Sequence, residues 1–391
     1  MIDQINHSDC TGCTACMSSC PQDAIVMERD KAGFLYPKVL EQKCIRCGRC
    51  LKVCPLDKRS TLSEEEREAF AGVSQDNDNH YQSTSGGIFT ELGKYVLGQN
   101  GVVIGAKYGE GQLVEHYAAT SLQELEKLRQ SKYLQSDKKD IFLKTKTYLE
   151  QGKLVLFVGS PCEVAGLKNY LQNDYDNLIS CDYICRGSNS PMVFQRYLDS
   201  LEKRYSSKVT RVWFKNKKYT WNRFSTRVDF DNGKKYQKDR YHDPYMRGYL
   251  EKNLYLRESC GQCHFKKSNR FADITLADFW GVENVFPELD TSHGVSLIIT
   301  NTAKGLELVQ SIEGAILLKQ CDYHLVADHN RSYVSSVMRN PKTEIFYADL
   351  ENKDFHRAVK KYLGSTWKAD VIRFSRRLRS RLKHIYNKSH R

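Results

Sequence analysis

The sequence predicts an α+β protein in which a small cysteine-rich domain precedes a mixed-sheet domain and a helical, basic C-terminus. Three observations carry that expectation. One cysteine spacing occurs twice within the first 55 residues, helical and strand periodicities alternate from Ser85 onward, and Lys368 to Arg391 holds nine Lys or Arg against the single acid Asp370. With 391 residues, 40% of them apolar, the chain is long enough to bury a substantial core in two or three domains. The longest apolar runs, such as Leu154 to Val158, fall far short of the roughly 18 residues a membrane-spanning helix needs. Fourteen cysteines and a start, Met1-Ile-Asp-Gln, without a charged and then apolar leader predict a reducing cytoplasm, where thiolates serve metal and not disulfides. The formal charge of +13 overstates the basicity, because each cluster bound by four thiolates brings about 2−. Outside the tail the charges nearly balance, so no nucleic-acid partner is expected.

The first element, residues 1–60, is defined by Cys10-Thr-Gly-Cys13-Thr-Ala-Cys16-Met-Ser-Ser-Cys20-Pro21 and Cys44-Ile-Arg-Cys47-Gly-Arg-Cys50-Leu-Lys-Val-Cys54-Pro55. Both are C-x2-C-x2-C-x3-C-P, the spacing of a bacterial two-cluster ferredoxin, with potentials near about −400 mV. Three closely spaced thiolates wrap one cluster while the fourth points to the other. The expected ligand sets are therefore Cys10, Cys13, Cys16 and Cys54 for one [4Fe-4S] centre, and Cys44, Cys47, Cys50 and Cys20 for the second. Zinc knuckles would have no use for the third Cys of each run.

Residues 61–82 read as a linker, with the charged run Ser63 to Glu68 and the polar run Gln75 to His80. A first part of the larger domain, 83–160, contains a helical segment after Ser85-Gly86-Gly87, a strand from Val102 to Tyr108, a helix from Leu122 to Arg129 capped by Ser121 and Glu124, and a buried strand from Leu154 to Val158. A second part, 161–335, contains a helix through Leu171, a strand from Leu178 to Ile184 and a helix from Pro191 to Tyr205. It continues as an antiparallel meander over 208–240 turning at Asp231-Asn-Gly233, then as strands Ala272 to Phe279 and Val295 to Thr300. Residues 336–391 form the helical tail. There Val371, Phe374, Leu378, Leu382 and Ile385 recur at helical spacing among arginines. Such a helix either docks on the protein's own core or lies on an anionic membrane at the inner face.

Six cysteines remain: Cys162, Cys181, Cys185, Cys260, Cys263 and Cys321. On spacing alone, four of them form a third cluster, or all are buried inert thiols beside a stray C-x2-C. Six blocks narrow the choice: Ser85-Gly-Gly-Ile-Phe-Thr90, Ser131-Lys-Tyr-Leu-Gln-Ser136, Gly159-Ser-Pro-Cys162, Cys185-Arg-Gly187, Cys260-Gly-Gln-Cys263 and Ala272 to Gly281. In this order they resemble the coenzyme F420 hydrogenase/dehydrogenase beta-subunit family, many of whose members carry an N-terminal ferredoxin domain.

The resemblance implies a flavoprotein oxidoreductase in which FAD and a core [4Fe-4S] cluster pass electrons between an iron-sulfur chain and a two-electron acceptor. The acceptor would be coenzyme F420 or a biosynthetic small molecule, including one of polysaccharide assembly. Carried over by motif, the core ligands are Cys162, Cys185, Cys260 and Cys263, with Cys181 and Cys321 structural. The flavin would be held by Ser85, Gly86, Gly87, Ser131, Lys132, Tyr133, Gln135 and Asp278, the glycines meeting a pyrophosphate at a helix start. No residue is singled out as catalytic. An acidic ferredoxin or flavodoxin-like donor is expected at Arg46, Arg49 and Lys52. The alternatives are a non-catalytic electron-transfer subunit of a larger complex and a scaffold retaining only the ferredoxin clusters.

Overall fold

The computed structural model describes residues 1–56, 58–267, 269–326, 330–365, 367 and 371. The amphipathic repeat of the tail lies outside them except for Val371. No helix among the described residues is long and apolar enough to cross a membrane.

The N-terminal domain is built from α1 (Ala15–Ser18), an antiparallel hairpin of β1 (Ile25–Arg29) and β2 (Leu35–Val39), and α2 (Arg49–Lys52). Asp30 closes the hairpin, its Oδ1 accepting from the amides of Ala32 and Phe34 around the left-handed Gly33 (φ 84°). Ile25 and Val39 pack with Cys16 and Ile2 in a small core, whereas Phe34 and Tyr36 are part of the large domain's core.

The chain then runs through β3 (Glu68–Ser74), α3 (Asn77–Gln82), α4 (Ile88–Gly98), β4 (Val102–Tyr108), β5 (Val114–Ala119), α5 (Leu122–Leu128), α6 (Ile141–Glu150), β6 (Val155–Gly159), α7 (Pro161–Leu171), β7 (Leu178–Tyr183) and α8 (Pro191–Tyr205). A separate antiparallel sheet of β8 (Val209–Asn216), β9 (Ser225–Phe230) and β10 (Lys235–Asp239) follows, as the alternating pattern predicts. After α9 (Pro244–Leu250) come β11 (Ile274–Asp278), β12 (Ser296–Thr300) and β13 (Ile316–Cys321). The main sheet has the order β13-β3-β12-β11-β7-β6-β4-β5, with β4, β6, β7 and β11 parallel and the remaining pairings antiparallel. Both faces are covered, so its central strands are apolar on both sides. Val103, Leu156 and Ile179 pack with Leu92 and Leu125 of α4 and α5. Val102, Ile104 and Phe157 pack with Phe142 and Leu167 of α6 and α7 on the other face. Each such side chain contributes roughly 1.5–3 kcal/mol by burial.

Three expectations are corrected. Residues 61–82 are not a linker: β3 lies between β13 and β12, with Phe70 on one face and Ala69 and Ala71 on the other. Its polar flanks hid a strand in which Gly72 leaves room for Ile298 and Ile88, whose terminal carbons would stand 2.6 and 2.9 Å from an added Cβ. The boundary at residue 160 cuts one continuous sheet, because β6 before it pairs with β7 after it. Residues 336–363 are no tail, since the helices Thr343–Asn352 and Phe355–Leu363 bury Phe346, Leu350, Phe355 and Val359 against Tyr197 and Tyr245 of α8 and α9.

Candidate iron-sulfur and ligand site

The carboxyl ends of β4, β6, β7 and β11 share one edge of the sheet, the place where open α/β sheets bind ligands. Cys162 sits in the first turn of α7, directly after β6, where Ser160 and Glu163 form a capping box. Cys185 follows β7, and Cys260 and Cys263 lie on and just after the short 3-10 turn Glu258–Gln262. Cys162 lies within electrostatic reach of Cys185 and Cys263, and Cys185 within reach of Cys260 and Cys263. Burial pushes the Cys162 thiol far up, with Cys263 and Cys185 adding to the effect, and pushes Cys185 up to about 12, with Cys260 and Cys263 adding. Bare thiols there would stay protonated, whereas metal takes them as thiolates. The Ser188 amide donates to Cys260 Sγ at 3.3 Å, the Cys263 amide donates to Ser336 Oγ at 2.9 Å, and Lys266 Nζ donates to the Cys185 carbonyl at 2.9 Å. Among the described residues no three metal-binding side chains converge at single-ion distance, and a cubane, with its irons at separate corners, requires no such convergence. Four cysteine sulfurs are the donor chemistry that a [4Fe-4S] cluster takes. Cys181 is buried within β7 with its thiol directed at the Asp182 carbonyl, and Cys321 ends β13.

In the N-terminal domain Cys10, Cys13, Cys16 and Cys54 line one cavity of about 20 Å³, together with Ile2 and Pro55. Burial raises the Cys16 thiol, and the neighbouring Cys13, Cys10 and Cys54 raise it further. Cys20, Cys44 and Cys50 pack on the adjoining small core and Cys47 is exposed. The two halves repeat in backbone as in sequence. Gly12 and Thr14 (φ 68° and 70°) match Arg46 and Gly48 (φ 53° and 74°). Their surroundings differ: nothing lies within 4 Å of a Cβ added at Gly48, whereas one at Gly12 would meet Gln135 Nε2 at 2.3 Å and the Leu35 carbonyl at 2.8 Å. Cys13 also rests on α7, because a Cβ at Gly166 would lie 3.0 Å from its sulfur.

The residues expected to hold a flavin have other partners. Lys132 Nζ donates to the carbonyls of Leu128 (2.9 Å) and Arg129 (2.6 Å), with those of Lys127 and Gln130 also in reach, so it caps the end of α5 and is no free phosphate cation. Burial lowers its pKa to about 7. Gln135 Oε1 accepts from the Leu35 amide at 2.8 Å, which takes it to the N-terminal domain and away from a flavin ring. Gly86 donates to Ser296 Oγ at 2.9 Å, and a Cβ there would stand 2.1 Å from the Gly72 carbonyl, so this glycine serves strand packing. Ser85 Oγ donates to the Val295 carbonyl, and Gly87 (φ 89°) is the N-cap of α4. Ser131 bonds Thr84, and Tyr133 is packed edge-on to Phe214. Asp278 pairs with the buried Lys215 and accepts from Trp221 Nε1 at 3.2 Å.

Sequence reasoning missed Lys215, near the end of β8, and Lys217, just beyond that strand, whose Nζ donates to the Ser85 carbonyl at 2.8 Å. It also missed an open groove of about 270 Å³ at the same sheet edge, lined by Tyr108, Glu126, Lys127, Arg129, Gln130 and Arg211. Tyr108 Oη and Arg129 Nε are buried there without partners, while the rest of the Arg129 guanidinium is held by Glu126 at 2.6 Å and Asn79 at 3.0 Å.

Behind Cys162, Lys138 donates to Glu163 at 2.7 Å, and His116 stacks on Phe157 while its Nδ1 meets Ser136 Oγ at 2.7 Å. Burial lowers the His116 pKa to about 4, with Glu163 opposing and Lys138 and Lys132 reinforcing, so the folded protein holds it neutral. The stability this brings is complete above about 6.5 and is lost as pH falls toward 4. By pH 5 the native chain is expected to lose about 2 kcal/mol more than a His116→Phe variant in urea unfolding, and parallel losses would refute the assignment.

Residues 9–58 match the family model of the 4Fe-4S dicluster domain, and residues 152–324 match the model of the C terminus of the coenzyme F420 hydrogenase/dehydrogenase beta subunit. No curated protein matches the chain. A similar solved structure is a chain of the xenon-derivatized F420-reducing [NiFe] hydrogenase complex from Methanosarcina barkeri. It is 16% identical with a TM-score of 0.44, over 77% of this chain and 90% of that one. The chain thus carries a 4Fe-4S dicluster domain ahead of a region related to the C terminus of the coenzyme F420 hydrogenase/dehydrogenase beta subunit.

Proposed function

We propose that the chain takes electrons singly from a ferredoxin or flavodoxin-like donor and delivers them in pairs to a small-molecule acceptor. It does so through two N-terminal clusters, a core cluster on Cys162, Cys185, Cys260 and Cys263, and FAD. The observation that carries this reading is helix α7. Cys162 stands in its first turn and Gly166, four residues on, bears Cys13, so ligands of two proposed clusters are separated by one helical turn, about 6 Å of rise. Clusters supply one-electron steps and a flavin supplies the change to two-electron transfer. The protein's part is position. The N-terminal domain is pinned by Ser190 Oγ donating to the Ala32 carbonyl and by Gln135 accepting from Leu35. The groove cations Lys127 and Arg211 would meet the phosphates of FAD or a charged acceptor such as coenzyme F420, beside the Arg129–Glu126 pair. Turnover of a small acceptor by the isolated, anaerobically purified yellow chain tests the reading. A colourless chain that only relays electrons would support a non-catalytic role within a larger complex.

The donor would dock at the second cysteine loop. Cys47 is exposed there beside Ile45 and Leu51, 62% and 52% exposed, within a ring of Arg46, Arg49 and Lys52. An acidic donor is steered by such charges, which salt screens beyond about 10 Å at 0.1 M. The second-order rate of reduction is expected to fall at least about tenfold between low salt and about 0.5 M NaCl, and to fall similarly at low salt in Arg46→Glu/Arg49→Glu. Salt-independent rates would remove this surface from the route.

A further inference from the structure

Arg257 is 1% exposed, and no carboxylate pairs with it among the described residues. Its Nε donates to the Cys10 carbonyl at 2.9 Å and one terminal nitrogen donates to the Leu35 carbonyl at 3.0 Å. The guanidinium lies over the Tyr36 ring at 4.1 Å. The other terminal nitrogen is buried without a partner, 3.2 Å from where a Cβ of Gly12 would stand. Gln135 Nε2, on a side chain 7% exposed, is likewise unpartnered and faces the same glycine. Two buried donors from distant segments thus converge on the loop between Cys10 and Cys13. A buried guanidinium without a counter-ion is strongly disfavoured, so the arrangement calls for an anion beside Gly12. Four thiolates around [4Fe-4S] are such an anion, and Gly12 lines the cavity they share.

We propose that Arg257 and Gln135 are positioning residues that raise the reduction potential of the cluster held by Cys10, Cys13, Cys16 and Cys54 above that of the cluster held by Cys20, Cys44, Cys47 and Cys50. The inference rests on the cluster reading above. Reduction adds one electron from the donor and takes the cluster, with its thiolates, from 2− to 3− without a proton. A fixed positive charge and two N–H groups stabilise the more negative state. Burial alone would act the other way, and the second loop, open to solvent at Gly48, has neither donor. The potentials then step upward from the exposed loop to the one resting on α7. Arg257 also continues toward the core, because its carbonyl accepts from the Cys260 amide at 3.1 Å.

The test is a mediated redox titration of the full chain, followed by electron paramagnetic resonance. Arg257→Gln and Gln135→Glu are expected to lower the higher of the two N-terminal midpoints and leave the other in place, with Arg257→Lys restoring most of the shift. Gln135→Glu keeps the acceptor for the Leu35 amide, so it decides the matter should Arg257→Gln fail to fold. Unchanged midpoints, equal shifts of both clusters, or a shift of the lower one alone would overturn the proposal. A native chain binding fewer than about eight irons would overturn the cluster reading itself, a result distinct from unmoved midpoints in a fully loaded protein.

Discussion

Replacing Cys260 and Cys263 together by Ser is expected to lower the iron content from about twelve to about eight per chain and to abolish transfer to the acceptor, while the N-terminal signals persist. Both thiols sit on one turn held from outside the cluster, by Arg257 behind Cys260 and Ser336 behind Cys263, so the backbone has support independent of the metal. Loss of iron without loss of fold is therefore the expected separation. It is checked by anaerobic iron and sulfide analysis beside circular dichroism. Unchanged iron would make these thiols structural and dissolve the core cluster.

The second large effect is on stability. The Lys138 side chain is 1% exposed, and its ammonium reaches both Glu163 Oε1 at 2.7 Å and the Ser136 carbonyl. Burial would raise the Glu163 pKa, but Lys138, His116 and the Ser160 amide outweigh it and hold the carboxylate at about 2. Lys138→Met leaves that charge buried one residue from Cys162, and breaking a buried pair on one side costs roughly 3–5 kcal/mol. A Lys138→Met/Glu163→Gln double variant should recover part of the loss, since it removes the stranded charge as well. Urea unfolding of the three proteins measures this. A single variant within about 0.5 kcal/mol of native would show that water reaches the pair.

The sequence was most informative where local chemistry dictates structure. The doubled cysteine spacing, Ser160-Pro161 opening α7 and Ser190-Pro191 opening α8 are short-range signals, and the elements stand where those residues place them. It was least informative where distant segments meet. β3 is seven residues between polar flanks, and only pairing with β12 and β13 makes it a buried strand. The flavin assignments to Lys132 and Gln135 rested on motif order, which cannot show that one side chain caps its own helix and the other crosses to the N-terminal domain. Nothing local marks Arg257, because it is covered by Phe34 and Tyr36, more than two hundred residues earlier.

The placement of β3 bears on how the protein is made. Gly72 pairs with Ser296 and with Leu318, so the strand that follows the cysteine domain has no strand partner until most of the chain has left the ribosome. Until then the first cysteine loop is uncovered, and Gln135 and Arg257 close over it only as the later segments arrive. A nascent chain stalled ahead of Ser296 would carry an apolar strand with two open edges, a template for aggregation.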